Sequence, residues 1–140
     1  MGGAAIWLLL GACASSAPTG DPVGDRFREA NRSFSLGRYG EAIPLYESVI
    51  GARERLKEAY HRLAYCYEVR GQESRAVETL EKVLRVDRQD EYALRHLWRL
   101  YCHRGFPEQA LAMASGLAEL YPADRGLKEE IVRLKELKGR

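Results

Sequence analysis

Apolar residues recur at intervals of three and four through residues 57–90, with charged residues between them. One such run comprises Tyr60, Leu63, Ala64 and Tyr67. A second run follows Gly71 and comprises Val77, Leu80, Val83 and Leu84. Because this spacing places apolar side chains on one face of a helix, the segment predicts two amphipathic helices joined by a short turn at the glycine.

The same pattern occurs in three consecutive segments of equal length, 23–56, 57–90 and 91–124, which align without a gap. Two columns of small residues define the register. The first comprises Gly37, Gly71 and Gly105, and the second comprises Ala42, Ala76 and Ala110. Glycine allows the positive φ that a helix C-terminus often needs, and alanine at a fixed position indicates that the paired helices approach closely there.

The two ends of the repeat region differ. Asp124 can cap a helix start, and the segment 125–140 that follows has an apolar stripe. That stripe comprises Leu127, Ile131, Leu134 and Leu137. With no second helix to pair with, this segment predicts a terminal capping helix with one polar face. No matching cap precedes residue 23, so we expect the first hairpin to be exposed at its outer face or to meet another protein there.

The period of 34 and the turn sequence LGRYGEA at 36–42 resemble the tetratricopeptide repeat, and the resemblance covers residues 23–124. It implies an all-α fold, an α-α superhelix (solenoid) of three helical hairpins plus a C-terminal capping helix, with seven helices and no strand. Within that family, the first helices of successive hairpins line a concave groove that receives a peptide or a helix of another protein. The family therefore implies a protein-protein interaction scaffold rather than an enzyme.

The helix face opposite the core stripe locates the corresponding groove in this chain. Its predicted lining comprises Phe27, Asn31 and Phe34 in the first unit, His61 and Tyr65 in the second, and Arg95 and Arg99 in the third. The predicted groove thus grades from aromatic and neutral to basic. Such a surface suits an extended partner segment with aromatic or aliphatic side chains and an acidic end. The alternative is that the two arginines belong to a solvated helix face.

One subclass of the family clamps the C-terminal carboxylate of chaperones with Lys, Asn and Arg side chains. Asn31 matches the asparagine of that clamp. Phe27 stands in place of its lysine and Arg62 in place of a later asparagine. The clamp is incomplete, so this function is not carried over.

The first 22 residues differ from the rest, with no Lys or Arg and a single acidic residue, Asp21. The apolar run at 4–10 is too short to span a bilayer and suits the core of a signal peptide. It leads into the sequence LGAC at 10–13, which resembles the lipobox of bacterial lipoproteins. The resemblance implies a signal peptide at 1–12 and diacylation of Cys13. The small, polar, Pro-containing sequence that follows predicts a flexible tether at 13–22. Bacterial lipoproteins retained at the inner membrane often carry Asp after the cysteine, so Ala14 in this position favours the outer membrane by the same resemblance.

Composition narrows the function classes further. The net charge is only +2 and no run of Lys or Arg occurs, which does not favour a nucleic-acid partner. Neither the cysteines nor the histidines have the spacing of a metal site, and no phosphate-binding glycine motif is found. We therefore expect no cofactor, no metal and no catalytic residues. The wheel places Cys66 beside the core stripe and Cys102 towards the groove, so we expect both to remain unbridged.

Taken together, the sequence predicts a lipid-anchored scaffold that faces the periplasm at the outer membrane. It resembles the tetratricopeptide lipoproteins of outer-membrane assembly and of pilus and secretin biogenesis. Two alternatives stay open. One is a soluble cytoplasmic adaptor with an unprocessed apolar leader, and the other is a structural module that associates with itself through the first hairpin.

Overall fold

A computed structural model describes residues 20–139, and all regular structure in that part of the chain is α-helical. The sequence at 10–13 that resembles a lipobox, with Cys13, lies outside the described residues. Seven helices follow one another: α1 (Pro22–Ser35), α2 (Tyr39–Ala52), α3 (Lys57–Val69), α4 (Glu73–Val86), α5 (Glu91–His103), α6 (Pro107–Leu120) and α7 (Arg125–Lys138). The predicted all-α superhelix of three hairpins and a capping helix is confirmed.

The turn inside each hairpin has the same backbone geometry. Gly37, Gly71 and Gly105 have φ values of 71°, 70° and 73°, which a residue with a Cβ rarely adopts. The residue after each glycine donates its N–H to a carbonyl five residues back, at 2.8–2.9 Å. This arrangement is the Schellman motif, which satisfies carbonyls at the helix end. The glycine column therefore serves the turn between paired helices, as predicted.

The helix starts at the unit boundaries are not equivalent. Asp90 and Asp124 occupy the same repeat position, and each accepts a backbone N–H of the helix that follows, both at 2.9 Å. Leu56 occupies that position before α3 and makes no side-chain cap. The chain still turns between Ala52 and Lys57, because the packing of the repeat sets the boundary even where the local signal is weak.

The core lies between the paired helices and between neighbouring hairpins. The alanines predicted at close helix contacts, Ala42, Ala76 and Ala110, are fully buried, and so are Ala30 and Ala64 on the first helices. Two tyrosine–glutamate bonds, also related by the repeat, join consecutive hairpins. The hydroxyl of Tyr67 donates to Glu47, and that of Tyr101 donates to Glu81 Oε1 at 2.6 Å. The repeat thus extends to the polar contacts that hold one unit against the next.

The last helix, α7, packs on α6 and ends the stack. Leu127 and Leu134 of the predicted stripe are buried and Ile131 packs against the core. Leu137, the last residue of that stripe, is instead about half exposed, as is Val132. The helix therefore has one face in the core and one towards solvent, as a terminal element of a solenoid requires. Within residues 20–139, none of the helices has the length and apolar character of a membrane span.

Candidate functional site

The first helices of the hairpins, α1, α3 and α5, place the predicted groove residues next to one another. At the first-hairpin end, Phe34, Tyr39 and Tyr65 form an aromatic cluster, with ring centroids 5.4–5.8 Å apart. The Arg62 guanidinium lies 5.4 Å from the centre of the Phe34 ring. Tyr65 keeps 38% of its surface exposed, so the cluster presents apolar area to solvent.

Phe27 and Asn31 both contact Tyr46, a buried residue of α2. The Tyr46 hydroxyl donates to Asn31 Oδ1 at 2.7 Å, and the Phe27 ring packs edge-on at 6.1 Å between centroids. Burial raises the pKa of Tyr46 to about 12, so its hydroxyl stays protonated and can donate at neutral pH. The amide oxygen of Asn31 is therefore already engaged inside the protein, and its side chain helps to join α1 and α2.

Two histidines from different units stack on one tyrosine in the middle of the groove. The rings of His61 and His96 have their centroids 4.3 and 4.1 Å from that of Tyr92. His61 Nε2 lies 2.9 Å from Asp90 Oδ1, and His96 Nδ1 lies 3.1 Å from Glu68 Oε1. His61 is thus paired with Asp90, which caps the start of α5, and His96 is paired with a carboxylate of the preceding unit. We call these three rings the His–Tyr–His stack.

Asp90 organises one side of this stack. It caps α5, contacts His61, and lies 3.2 Å from Lys57 Nζ, while only 6% of its side chain is exposed. A carboxylate so buried needs several polar partners, and the three groups supply them. Burial of the imidazole lowers the pKa of His61, although the neighbouring Asp90 carboxylate opposes this shift.

The two arginines at the third-unit end are accompanied by carboxylates. Arg95 Nε donates to Glu91 Oε1 at 2.7 Å, and its guanidinium lies 5.3 Å from the centre of the Tyr121 ring. Arg99 contacts Glu68. Burial by itself would raise the pKa of Glu68, but hydrogen bonds from His96 and Arg99 outweigh it and lower that pKa. The basic character expected at this end is therefore partly offset by Glu68 and Glu91.

A cleft of about 540 Å³ lies beyond the arginines, between α5 and α7. Its lining comprises Arg95, Trp98, Arg99, Cys102, His103 and Glu130. The two cysteines of the described part are free and differ in environment, since Cys66 is buried and Cys102 is exposed. Burial raises the pKa of the Cys66 thiol to about 11. The cysteine placement follows the helical-wheel prediction.

The seven predicted groove residues lie on the first helices, but several of their partners were not predicted from the sequence. Tyr92 and Asp90, which both contact His61, are the main ones. The Glu91–Arg95 pair could have been found, because a spacing of four residues brings these charges together on a helix. In the described part of the chain, no group of three or more His, Cys, Asp or Glu side chains is arranged to hold a metal ion.

A family model matches part of the chain, and solved structures share the fold of most of it. A family model for the tetratricopeptide repeat matches residues 33–97. Comparison with curated protein sequences gives no match. The match runs from the end of α1 to the middle of α5 and supports a tetratricopeptide-type repeat over these residues, and the solved structures share the fold over most of the chain.

Three of these similar structures contain a bound peptide or protein segment. The first TPR of Spaghetti (RPAP3), bound to the HSP90 peptide SRMEEVD, has a TM-score of 0.67 at 17% identity and covers 84% of this chain and 94% of its own. The Yersinia enterocolitica type III secretion chaperone SycD, in complex with a peptide of the translocator YopD, has a TM-score of 0.66 at 16% identity, with 84% and 89% covered. PcrH, in complex with the chaperone binding region of PopD, has a TM-score of 0.65 at 12% identity, with 89% and 96% covered.

Proposed function

We propose that this protein is a binding scaffold that holds a segment of a partner protein against the surface formed by α1, α3 and α5. The observation that carries the proposal is the continuity of this surface. Aromatic contacts join α1 to α3 through Phe34 and Tyr65, and the His–Tyr–His stack joins α3 to α5. The surface combines exposed aromatic area with paired charges, which suits an amphipathic segment. The peptide complexes of the similar structures support the same use of the fold.

The structure refines the chemistry expected of the partner. Since Glu68 and Glu91 offset the charge of Arg99 and Arg95, bulk attraction of an acidic segment is weaker than the arginines alone would give. Apolar contact with the aromatic cluster is expected to supply most of the affinity, because aromatic anchors dominate many protein interfaces. The arginines then act on orientation and association rate.

The test compares partner recovery by affinity purification from the native organism with the wild-type protein and three variants. Phe34→Ala/Tyr65→Ala removes the aromatic cluster, and Arg95→Gln/Arg99→Gln removes the charges. Glu78→Ala, at an exposed position of α4, serves as the control. We expect the aromatic variant to lose the partner at every salt concentration, and the arginine variant to lose it less and in a salt-dependent manner. Equal recovery by all variants with unchanged thermal unfolding contradicts the groove as the binding site.

We also propose that Cys13 anchors the protein to a bacterial membrane, with the helical domain facing the periplasm from the outer membrane. The support is the sequence at 10–13 and its resemblance to a lipobox. Two or three acyl chains give stable anchoring because each buried methylene contributes about 0.8 kcal/mol. We further propose a role in outer-membrane, pilus or secretion assembly, because the combination of helical repeats with a lipobox-like sequence resembles the tetratricopeptide lipoproteins that serve these processes.

Membrane fractionation with lipid labelling tests the anchor. Wild-type protein expressed from its native upstream sequence is expected to take up labelled palmitate and to sediment with outer membranes. Cys13→Ser should lose the label and be released or stay unprocessed, whereas Cys102→Ser should behave as wild type. If Cys13→Ser and wild type fractionate alike and neither is labelled, the anchor proposal is wrong.

A further inference from the structure

The cleft between α5 and α7 interrupts a pattern that the other first helices follow. Phe34 on α1 packs against Tyr65 on α3, and Glu68 on α3 contacts Arg99 on α5. Phe34 and Glu68 occupy the same repeat position, from which each reaches the next first helix. The third member of this column is Cys102, whose side chain is short. Within residues 20–139, no hydrogen bond or ion pair joins α5 to α7, and the space between them stays open.

A second column breaks at the same place. Ala30 and Ala64 are fully buried between helices, and the third unit has Trp98 at that position. Trp98 packs against the core with part of its surface and lines the cleft with the rest. Its indole N–H is shielded from solvent and has no hydrogen-bond partner of normal geometry, with the weakly accepting sulfur of Cys102 beside it. In the third unit, therefore, Trp98 stands where the other units have alanine, and Cys102 stands where they have a larger side chain, and both residues line the same cleft.

We propose that this cleft is an anchoring subsite for one bulky apolar side chain of the partner segment, with a carboxylate next to that side chain. The inference rests on the groove function proposed above and adds the residue chemistry that this end of the groove selects. The volume of about 540 Å³ falls within the roughly 300–1,000 Å³ of typical ligand pockets. Tryptophan is among the residues that most often dominate binding energy when a partner side chain packs on it.

The charges around the cleft place the carboxylate on its α5 side. Arg95 and Arg99 have side chains that are 50% and 60% exposed. A guanidinium has five N–H donors, and the contacts with Glu91 and Glu68 use only part of them. On the α7 side, Glu130 would repel an anion, and it pairs with Arg133 at 3.0 Å. A partner segment in the cleft therefore meets guanidinium donors only on the α5 side, so the carboxylate next to its apolar side chain is expected to face Arg95 and Arg99.

The test uses the full chain carrying Trp7→Phe and Cys13→Ser. In this background Trp98 is the remaining tryptophan, and the only thiols are Cys66 and Cys102. Cys66 is buried whereas Cys102 is exposed, so alkylation of the folded protein reports on Cys102. The probes are three synthetic ten-residue Gly/Ser peptides with blocked ends. Their central pairs are Phe-Asp, Phe-Lys and Ser-Asp.

The Phe-Asp peptide is expected to bind at least about tenfold more tightly than the other two. Its binding should shift the emission of Trp98 and protect Cys102 from alkylation. Cys102→Phe is expected to fill the cleft from an exposed position and to abolish the preference, with thermal unfolding little changed. Trp98→Ala should also abolish the preference, but it removes packing against the core as well, so Cys102→Phe is the deciding variant.

Several results overturn the inference. These are equal affinity of the three peptides, tighter binding of the Phe-Lys peptide, absence of any Trp98 response, and an unchanged preference in Cys102→Phe. Protection of Cys102 that depends on protein concentration without peptide overturns it too, because a second copy then covers the cleft. If these peptides fail while Phe34→Ala/Tyr65→Ala still loses the cellular partner, the subsite is wrong and the scaffold function stands. If neither the aromatic variant nor Cys102→Phe affects partner recovery, the groove function itself fails.

Discussion

Replacing Asp90 by alanine should destabilise the fold far more than the same replacement at Asp124. The two aspartates share one repeat position and make the same cap, each accepting a backbone N–H at 2.9 Å. Asp124 is otherwise exposed, so Asp124→Ala should cost about 1 kcal/mol, the usual value for a lost cap. Asp124→Ala is therefore a matched control that isolates what Asp90 does beyond capping.

Asp90 has two further partners, His61 at 2.9 Å and Lys57 at 3.2 Å. Hydrogen bonds to a charged group contribute about 1.5–3 kcal/mol each, and half-exposed Lys57 belongs at or below the lower end of that range. Adding these contacts to the cap gives a total cost of about 2.5–5.5 kcal/mol for Asp90→Ala. The difference between the two variants should thus be at least about 1 kcal/mol.

Urea unfolding followed by circular dichroism at pH 7.5 measures both costs. A double-mutant cycle of Asp90→Ala with His61→Ala should give a coupling energy of about 0.5–3 kcal/mol, as residues in direct contact usually do. Equal costs for Asp90→Ala and Asp124→Ala, or a coupling energy near zero, would refute the claim that Asp90 ties the second unit to the third.

Three further results are expected. Burial lowers the pKa of His61 in the folded protein, so the unfolded chain binds the proton more tightly and the free energy of unfolding falls as the pH drops below about 6.5. Wild type should therefore lose more stability than His61→Gln between pH 7.5 and 5.5 in urea titrations. Gly51→Ala should stabilise the helix by up to about 1 kcal/mol, since a Cβ there meets nothing within 4 Å. Gly116→Ala should gain nothing or destabilise by up to about 2 kcal/mol, because its Cβ would lie 3.0 Å from Leu94 Cδ2. Thermal unfolding of both variants measures the difference. Tyr101→Phe should cost about 1 kcal/mol through loss of the bond to Glu81, less than for a buried carboxylate because Glu81 is exposed to water, and an unchanged urea midpoint would contradict that bond.

The fold could be predicted because its determinants recur along the chain. Gly71 and Ala76 each belong to a column with a period of 34, and the structure places the first at a positive φ and buries the second completely. A glycine column indicates a turn with positive φ and an alanine column indicates close helix contact, so both features can be read from residue type alone. The apolar stripe around Leu134 predicted the capping helix by the same logic.

The site could be predicted only as a face, because its contacts depend on side chains that meet across units. A helical wheel placed His61 on the groove but does not show that it reaches Asp90 and the ring of Tyr92. The cleft needed the position of α7 relative to α5, which no spacing rule supplies. Its only sequence signals were the breaks of two repeat columns, at Trp98 and at Cys102.

Site-specific photocrosslinking in the native organism tests the central claim most directly. A photoreactive phenylalanine analogue is placed at Tyr65, which is exposed on the groove, or at Glu78, which is exposed on α4. The proposed function predicts that Tyr65 yields one discrete crosslinked partner, that Glu78 does not, and that the crosslink disappears when Phe34→Ala is added. A partner crosslinked from Glu78 and not from Tyr65, or a Tyr65 crosslink indifferent to Phe34→Ala, would contradict the groove as the binding surface.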